Sequence, residues 1–414
     1  MHLYAVPLLF ALIGMVLYVV LAGADFGAGF WQLVAGRGEH GRRVREHAHE
    51  SMAPVWEANH VWLIFVLVVM WTCYPEAFAS IASTLSIPLF VAALGIVFRG
   101  AAYALRAGTA QARELRVIDS VFAVASILTP FALGTVVGGI ASGRVPVGNA
   151  AGDQWSSWLN PTSVTIGLLA VALSAYLAAV YLAADAVRRG DAEMERAFRL
   201  RALVAGLVAG GMAAGALVVL RDDTRTLFDA LLSGAGLAAV IVSALAGLGT
   251  LLLVRARSYE YSRYSAAVAV AAIVAGWAIA QSPELLPGAM TVEQAAAGDD
   301  TLIAVVAAVL AGLVVLAPSL GLLFTLTLRG SLGHGGDAPA GASGGGAGLT
   351  DEWPTPVHAL SAARNGLLAR GAIAFAVLGF AFLTVANAGW AHAIGVPCLF
   401  ASALLGFRAA VPSD

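Results

Sequence analysis

SMAPVWEANHVWL, residues 51–63, places an acid between two tryptophans at the point where the chain turns apolar. Glu57 follows Trp56; Asn59, His60 and Trp62 come after it, and the apolar run continues through Met70 and Trp71. Such a run begins a membrane-spanning helix, and a carboxylate at its entrance is costly to leave unpaired, which makes it by default a proton, ion or cofactor site. The plainer alternative is an interfacial acid that anchors a helix. A second acid weighs toward chemistry. Asp25 stands in Gly23-Ala24-Asp25-Phe26-Gly27-Ala28-Gly29, the run that closes the preceding apolar stretch.

The rest of the chain agrees with a membrane solvent. Hydrophobic residues make up 60% of the 414 and charged residues 12%, and the mean hydropathy is +0.84, outside the range of soluble globular proteins. A net charge of −2 with basic residues scattered through short loops excludes nucleic-acid binding. Every basic residue is Arg, which reads as genome composition rather than chemistry. Cys73 and Cys398 lie far apart with no CxxC and no nearby His pair, so neither a zinc site nor a disulfide framework is signalled. The segment from Met1 to Ala22 has no basic leader and reads as a retained first span rather than a cleaved signal.

A spanning helix needs roughly 20 apolar residues. Reading for such runs predicts an all-α polytopic membrane protein with about nine spans before residue 330, at 5–24, 57–74, 77–98, 117–140, 162–185, 200–220, 228–254, 264–281 and 301–328. Two shorter candidates, 368–388 and 392–408, follow a flexible Gly, Ala and Ser-rich linker. The expected domains are 1–329, the linker 330–350 and a C-terminal extension 351–414 containing a helical hairpin. With the N-terminus outside, every Arg except Arg144, Arg221 and Arg225 falls on the inner side, as the positive-inside rule requires.

This topology puts Asp25 and Glu57 at the same, cytoplasmic end. The polar connection between them, with Arg42, Arg43, Arg45, Glu46 and Glu50, has the spacing of a surface helix at the headgroups. His40, His47 and His49 within it read as solvated positions rather than a metal cluster. Arg99 ends the third span, either as an ordinary positive-inside residue or, if it faces inward, as a counter-charge for Asp25 or Glu57. Gly134, Gly138 and Gly139, and Gly206, Gly210, Gly211 and Gly215, recur at helix-packing spacing. Asp185 and Arg189 form an i,i+4 pair.

At this point the residues resemble subunit II of the cytochrome bd-type quinol oxidases. The carriers are the Gly23–Gly29 run, Ala53-Pro54-Val55-Trp56-Glu57-Ala58-Asn59-His60-Val61-Trp62-Leu63-Ile64, Tyr74-Pro75-Glu76-Ala77-Phe78, and Phe98-Arg99. The resemblance implies nine transmembrane helices as two four-helix bundles plus one, in a bacterial cytoplasmic membrane. It implies a partner, subunit I, carrying two b-type hemes and one d-type heme, and a complex that oxidises quinol and reduces oxygen to water. This chain is then expected to hold no heme ligands and no metal. Small single-helix accessory subunits are further implied partners, and a structural quinone a further implied ligand. Asp25, Glu57, Arg99 and Asn59 match positions where a cytoplasmic proton pathway starts. Where relatives often show Asp, this chain has Glu57. Trp62 matches a position lining the oxygen approach, with Trp56 and His60 beside it; packing against subunit I is the alternative.

Two features stand outside the resemblance. The chain after Gly330 is longer than the family's usual subunit II and reads as a fused accessory or a membrane anchor. A proton- or cation-coupled secondary transporter is the rival reading, since transporters also use intramembrane acids and broken helices. Such sites tend toward the bilayer midplane, whereas Asp25 and Glu57 share one end.

Overall fold

Apolar runs cannot leave backbone N–H and C=O groups unpaired in hydrocarbon, so they close their hydrogen bonds internally as helices. The structure is a computed structural model that describes residues 2–36, 38–52, 56–108 and 112–328, with a few isolated positions between 371 and 401. A 3-10 turn at Leu3–Ala5 leads into α1 (Val6–Leu33), then α2 (Glu39–Met52), α3 (Trp56–Cys73), α4 (Pro75–Thr84), α5 (Ser86–Gly108) and α6 (Ala112–Ala141). These are followed by α7 (Pro161–Arg188), α8 (Ala192–Asp223), α9 (Arg225–Leu231), α10 (Gly234–Arg255) and α11 (Tyr259–Gln281). A short hairpin, β1 (Glu284–Leu286) with β2 (Met290–Thr291), precedes α12 (Val292–Ala295) and α13 (Asp299–Leu328).

Among the described residues, seven helices are long and apolar enough to cross a membrane: α1, α5, α6, α7, α8, α10 and α11. Helices α3 and α13 lie over the other two predicted runs. Two predicted spans are interrupted. The run 77–98 breaks at Leu85 into α4 and α5, because Pro88 has no N–H to offer the Thr84 carbonyl one turn back. The run 228–254 breaks into α9 and α10 at Gly234, whose φ of +49° is left-handed. The chain divides into two units, Met1–Arg329 and Gly330–Asp414. The predicted linker 330–350 lies outside the described residues, as does the C-terminal hairpin apart from isolated positions.

Helix α1 is central, packing on α3, α6, α7 and α11. Its approach to two neighbours depends on glycine. A Cβ at Gly27 would fall on the Ser174 carbonyl of α7, and one at Gly29 on the Ser126 side chain of α6. The Trp31 indole N–H donates to the Ala175 carbonyl at 2.8 Å and fixes the same seam. Gly134 and Gly138 let α6 meet Gly167 and Ser163 of α7 as expected. On α8 the predicted stripe divides: Gly206 packs against Leu251 and the Tyr176 ring, while Gly210, Gly211 and Gly215 meet nothing within 4 Å among the described residues.

Helix α2 is docked rather than merely solvated. Val44, His47 and Ala48 are buried, one turn apart on a helix whose other faces are charged. His47 Nε2 lies 3.0 Å from the Leu182 carbonyl and its ring lies against Phe198. Arg43 reaches Asp191 at 2.7 Å and pairs with Glu193; Arg189 pairs with Glu50 and, at 2.9 Å, with Asp185. His40, His47 and His49 thus meet Glu193, Leu182 and the Tyr103 ring respectively. At the opposite end, Arg144 forks onto Asp223, which also accepts from Thr162 Oγ1 at 2.6 Å, and the β1–β2 hairpin buries Leu286 and Met290.

Candidate functional site

Helices α1, α3, α5 and α6 converge at the end where α2 docks, and each supplies one part of a buried polar cluster. Arg99, from α5, has its side chain 2% exposed, and Asp25, from α1, 1%. The guanidinium is bidentate: Nη1 donates to Asp25 Oδ2 at 2.5 Å and Nη2 to Oδ1 at 2.6 Å. Nη2 also donates to the Asp25 backbone carbonyl at 3.0 Å, and Nε to Ser126 Oγ of α6 at 3.0 Å. The fork matches a planar donor set to a planar carboxylate, the strongest common form of charge-assisted hydrogen bonding.

The cation is also stacked. Its Cζ lies 4.8 Å from the Phe26 ring centroid and 4.6 Å from that of Phe122, so two aromatic faces replace water around it. Of the two roles the sequence left open for Arg99, the structure places the side chain inward. Nothing in the spacing separates Arg99 from Arg106, exposed to a greater degree and paired with Asp119; the signal that was available is that Arg99 follows an unbroken apolar run while Arg106 comes two turns later.

Helix α3 closes the other side. Asn59 is buried, and its Nδ2 donates to the Leu21 carbonyl at 3.4 Å. His60 forms a triangle with the rings of Tyr18 and Phe26, each centroid 6.2 Å from its own. Trp62 packs on the buried group Tyr18, Ala22 and Phe26. Glu57 and Trp56 open α3, and their side chains lie outside the described residues. The structure therefore brings together Asp25, Arg99, Asn59, His60 and Trp62. Sequence reading missed Ser126, Phe122 and Tyr18; Tyr18 and Phe122 carry no signal beyond being aromatic in apolar runs.

Chemically, the cluster is a fixed dipole set in a low-dielectric wall. Both oxygens of Asp25 accept from Arg99, so the charge of that carboxylate is compensated within the protein. Among the described residues no three His, Cys, Asp or Glu side chains come together to hold a metal ion.

Comparison with known proteins covers most of the chain. The family described as "Cytochrome bd terminal oxidase subunit II" matches residues 3–327. A cytochrome bd ubiquinol oxidase subunit 2 of Bacillus subtilis (strain 168) is 30% identical over 119 residues, 29% of this chain and 34% of that protein. The cytochrome bd-I ubiquinol oxidase subunit 2 of Escherichia coli (strain K12) is 26% identical over 210 residues, 48% of this chain and 52% of that one. The chain thus spans from a third to about half the length of these two curated relatives. A chain of the bd oxidase structure from Geobacillus thermodenitrificans superposes with a TM-score of 0.66 at 24% identity, over 80% of this chain and 99% of that chain, which shows a shared fold.

Proposed function

From the premise that the chain belongs to the cytochrome bd terminal oxidase subunit II family, we propose that it is the heme-free second subunit of a quinol:oxygen oxidoreductase and carries the start of that enzyme's proton-uptake path. The observation that carries this reading is the buried Asp25–Arg99 fork beside the entrance of α3. Reduction of oxygen to water consumes protons, and a buried site that consumes them needs a conduit through hydrocarbon. Ionisable groups are retained at such depth chiefly for relays and ion paths. In this arrangement Arg99 and Asp25 supply a preorganised charge pair, Asn59 orients α3 against α1, and Glu57, three residues before His60 in sequence, is assigned the exchange of protons with the inner aqueous phase. Trp62, Trp56 and His60 line the oxygen approach or the surface toward subunit I.

The wider assembly follows from the same premise. The two b-type hemes and the d-type heme sit in subunit I, small single-helix subunits accompany the pair, and a quinone serves as a structural lipid. The chain crosses a bacterial cytoplasmic membrane with its N-terminus outside. Nine spans form two four-helix bundles plus one; the packing of α1 on α3 and α6, α5 on α6, α7 on α8, and α10 on α11 supports that grouping. The segment 330–350 links it to a C-terminal membrane extension. What weighs against the rival transporter reading is that Asp25 is already charge-compensated by Arg99.

The test is gentle purification through a tag on this chain, with a reduced-minus-oxidised spectrum. Hemes b and d arriving with a second membrane protein are expected. A colourless, solitary protein would overturn the reading.

A further inference from the structure

At the α2 end of the bundle, α8 opens with a basic, partly apolar hollow unrelated to the Asp25 cluster. It has a volume of about 580 Å³ and is lined by His40, Glu193, Arg196, Ala197, Leu200 and Arg201. The single carboxylate there is already occupied: Glu193 pairs with His40 at 3.0 Å and with Arg43. Arg201 rests its guanidinium over the rings of Trp31, at 5.7 Å, and Phe198, at 5.1 Å. Arg196 donates Nε to the Ala192 carbonyl at 3.0 Å. Among the described residues neither Arg forms a salt bridge, so the hollow keeps two positive charges held in place and uncompensated.

The second observation is the surface that leads away from it. Leu200, Val204, Leu207 and Val208 are 64%, 51%, 67% and 51% exposed and fall at the i, i+4, i+7, i+8 spacing of one helix face. The same face continues to Gly211, which meets nothing within 4 Å. At 1.5 Å per residue, Leu200 to Gly211 covers about 16 Å, roughly half of the ~30 Å hydrocarbon core. A cationic seat near a helix end and a bare apolar track one leaflet deep are complementary to one molecule with a phosphate at one end and an acyl chain behind it.

We propose that this hollow binds the headgroup of an anionic phospholipid, the phosphodiester on Arg196 and Arg201 with His40 at the rim, and one acyl chain along Leu200, Val204, Leu207 and Val208. The proposal does not depend on the oxidase reading, since it rests on α2, α8 and the Trp31 ring of α1 alone.

The intact protein, purified with the chains that accompany it and stripped of lipid in detergent, is titrated with phosphatidylglycerol while its thermal transition and its lipid adducts in native mass spectrometry are followed. Phosphatidylglycerol is expected to raise the transition and remain bound, with phosphatidylcholine and inorganic phosphate doing neither. A basic residue near an anionic lipid is worth roughly fivefold in affinity, so Arg196→Gln, at an exposed position, should lose about fivefold and Arg196→Gln with Arg201→Gln on the order of 25-fold. The pair Arg196→Lys with Arg201→Lys should retain affinity to within a few-fold, which separates charge from packing on Trp31. Undiminished phosphatidylglycerol binding by the Gln pair would overturn the proposal. So would equal stabilisation by inorganic phosphate, which would make the hollow a soluble-anion site, or self-association through this face abolished by the same substitutions.

Discussion

Asp25 and Arg99 are the residues on which the local structure depends. Removing one partner of a buried ion pair strands the other charge in low dielectric at about 3–5 kcal/mol, whereas replacing both with apolar groups of similar volume is often near neutral. Arg99 is covered by Phe26 and Phe122 and has no water-facing route to relax. Asp25→Ala alone should therefore destabilise the purified protein by roughly 3–5 kcal/mol, and Asp25→Leu with Arg99→Met should recover most of that loss. Denaturation in detergent of Asp25→Leu alone, Arg99→Met alone and the two together makes a double-mutant cycle. Additive losses would show that the fork carries no coupling. At this scale the sequence was half informative: the acids stood out because they interrupt apolar runs, but the burial of Arg99 was hidden by the other arginines that follow it.

Helix α2 is the element whose behaviour should change with pH. Burial pushes the His49 imidazole below its usual range, and Arg106 adds to the shift. A His with a depressed pKa is favoured neutral in the fold, so its contribution is complete above the unfolded value near 6.5 and declines as pH falls below it. The Met194 backbone N–H, together with Arg43, holds the Asp191 carboxyl below the usual carboxylate range. That contribution is present above about pH 4 and is lost only as pH falls through the lower folded value. Hydrogen-exchange protection factors of α2 amides should thus fall in two stages, first as pH drops below about 6.5, then as it drops below about 4. His49→Gln should remove the first stage alone. Protection that stays constant from pH 7.5 to 5 would contradict the docked, neutral His49. The docking was legible in principle, because Val44, His47 and Ala48 share one face of an otherwise charged helix, but the charges dominate the composition and made the whole segment read as solvated.

On the scale of the whole molecule, chain order and charge alternation give the same topology. Arg144 and Asp223 sit at one end with the β1–β2 hairpin, while Arg43, Arg188 and Arg189 sit at the other with α2. In a Cys73→Ala, Cys398→Ser background, a cysteine in place of exposed Asp153 should react with an impermeant thiol reagent in intact cells. One in place of exposed Glu46 should react only after the membrane is opened. Labelling in the reverse order would invert the proposed orientation. Helix runs were readable because hydrocarbon enforces them on every apolar stretch of spanning length. The breaks at Leu85 and Gly234 were not, because a local turn leaves the hydropathy of the run unchanged and is signalled only by Pro88 and by one glycine among 46.

The central claim is that protons for oxygen reduction enter beside the Asp25–Arg99 fork through the carboxylate at position 57. The most direct measurement is quinol-driven oxygen consumption by the complex carrying Glu57→Gln, with the heme spectrum recorded on the same sample. Turnover is expected to fall roughly a hundredfold or more, the scale of losing a positioned proton-transfer group, with heme content unchanged. Full turnover with full heme content would contradict the claim and leave this chain as a scaffold.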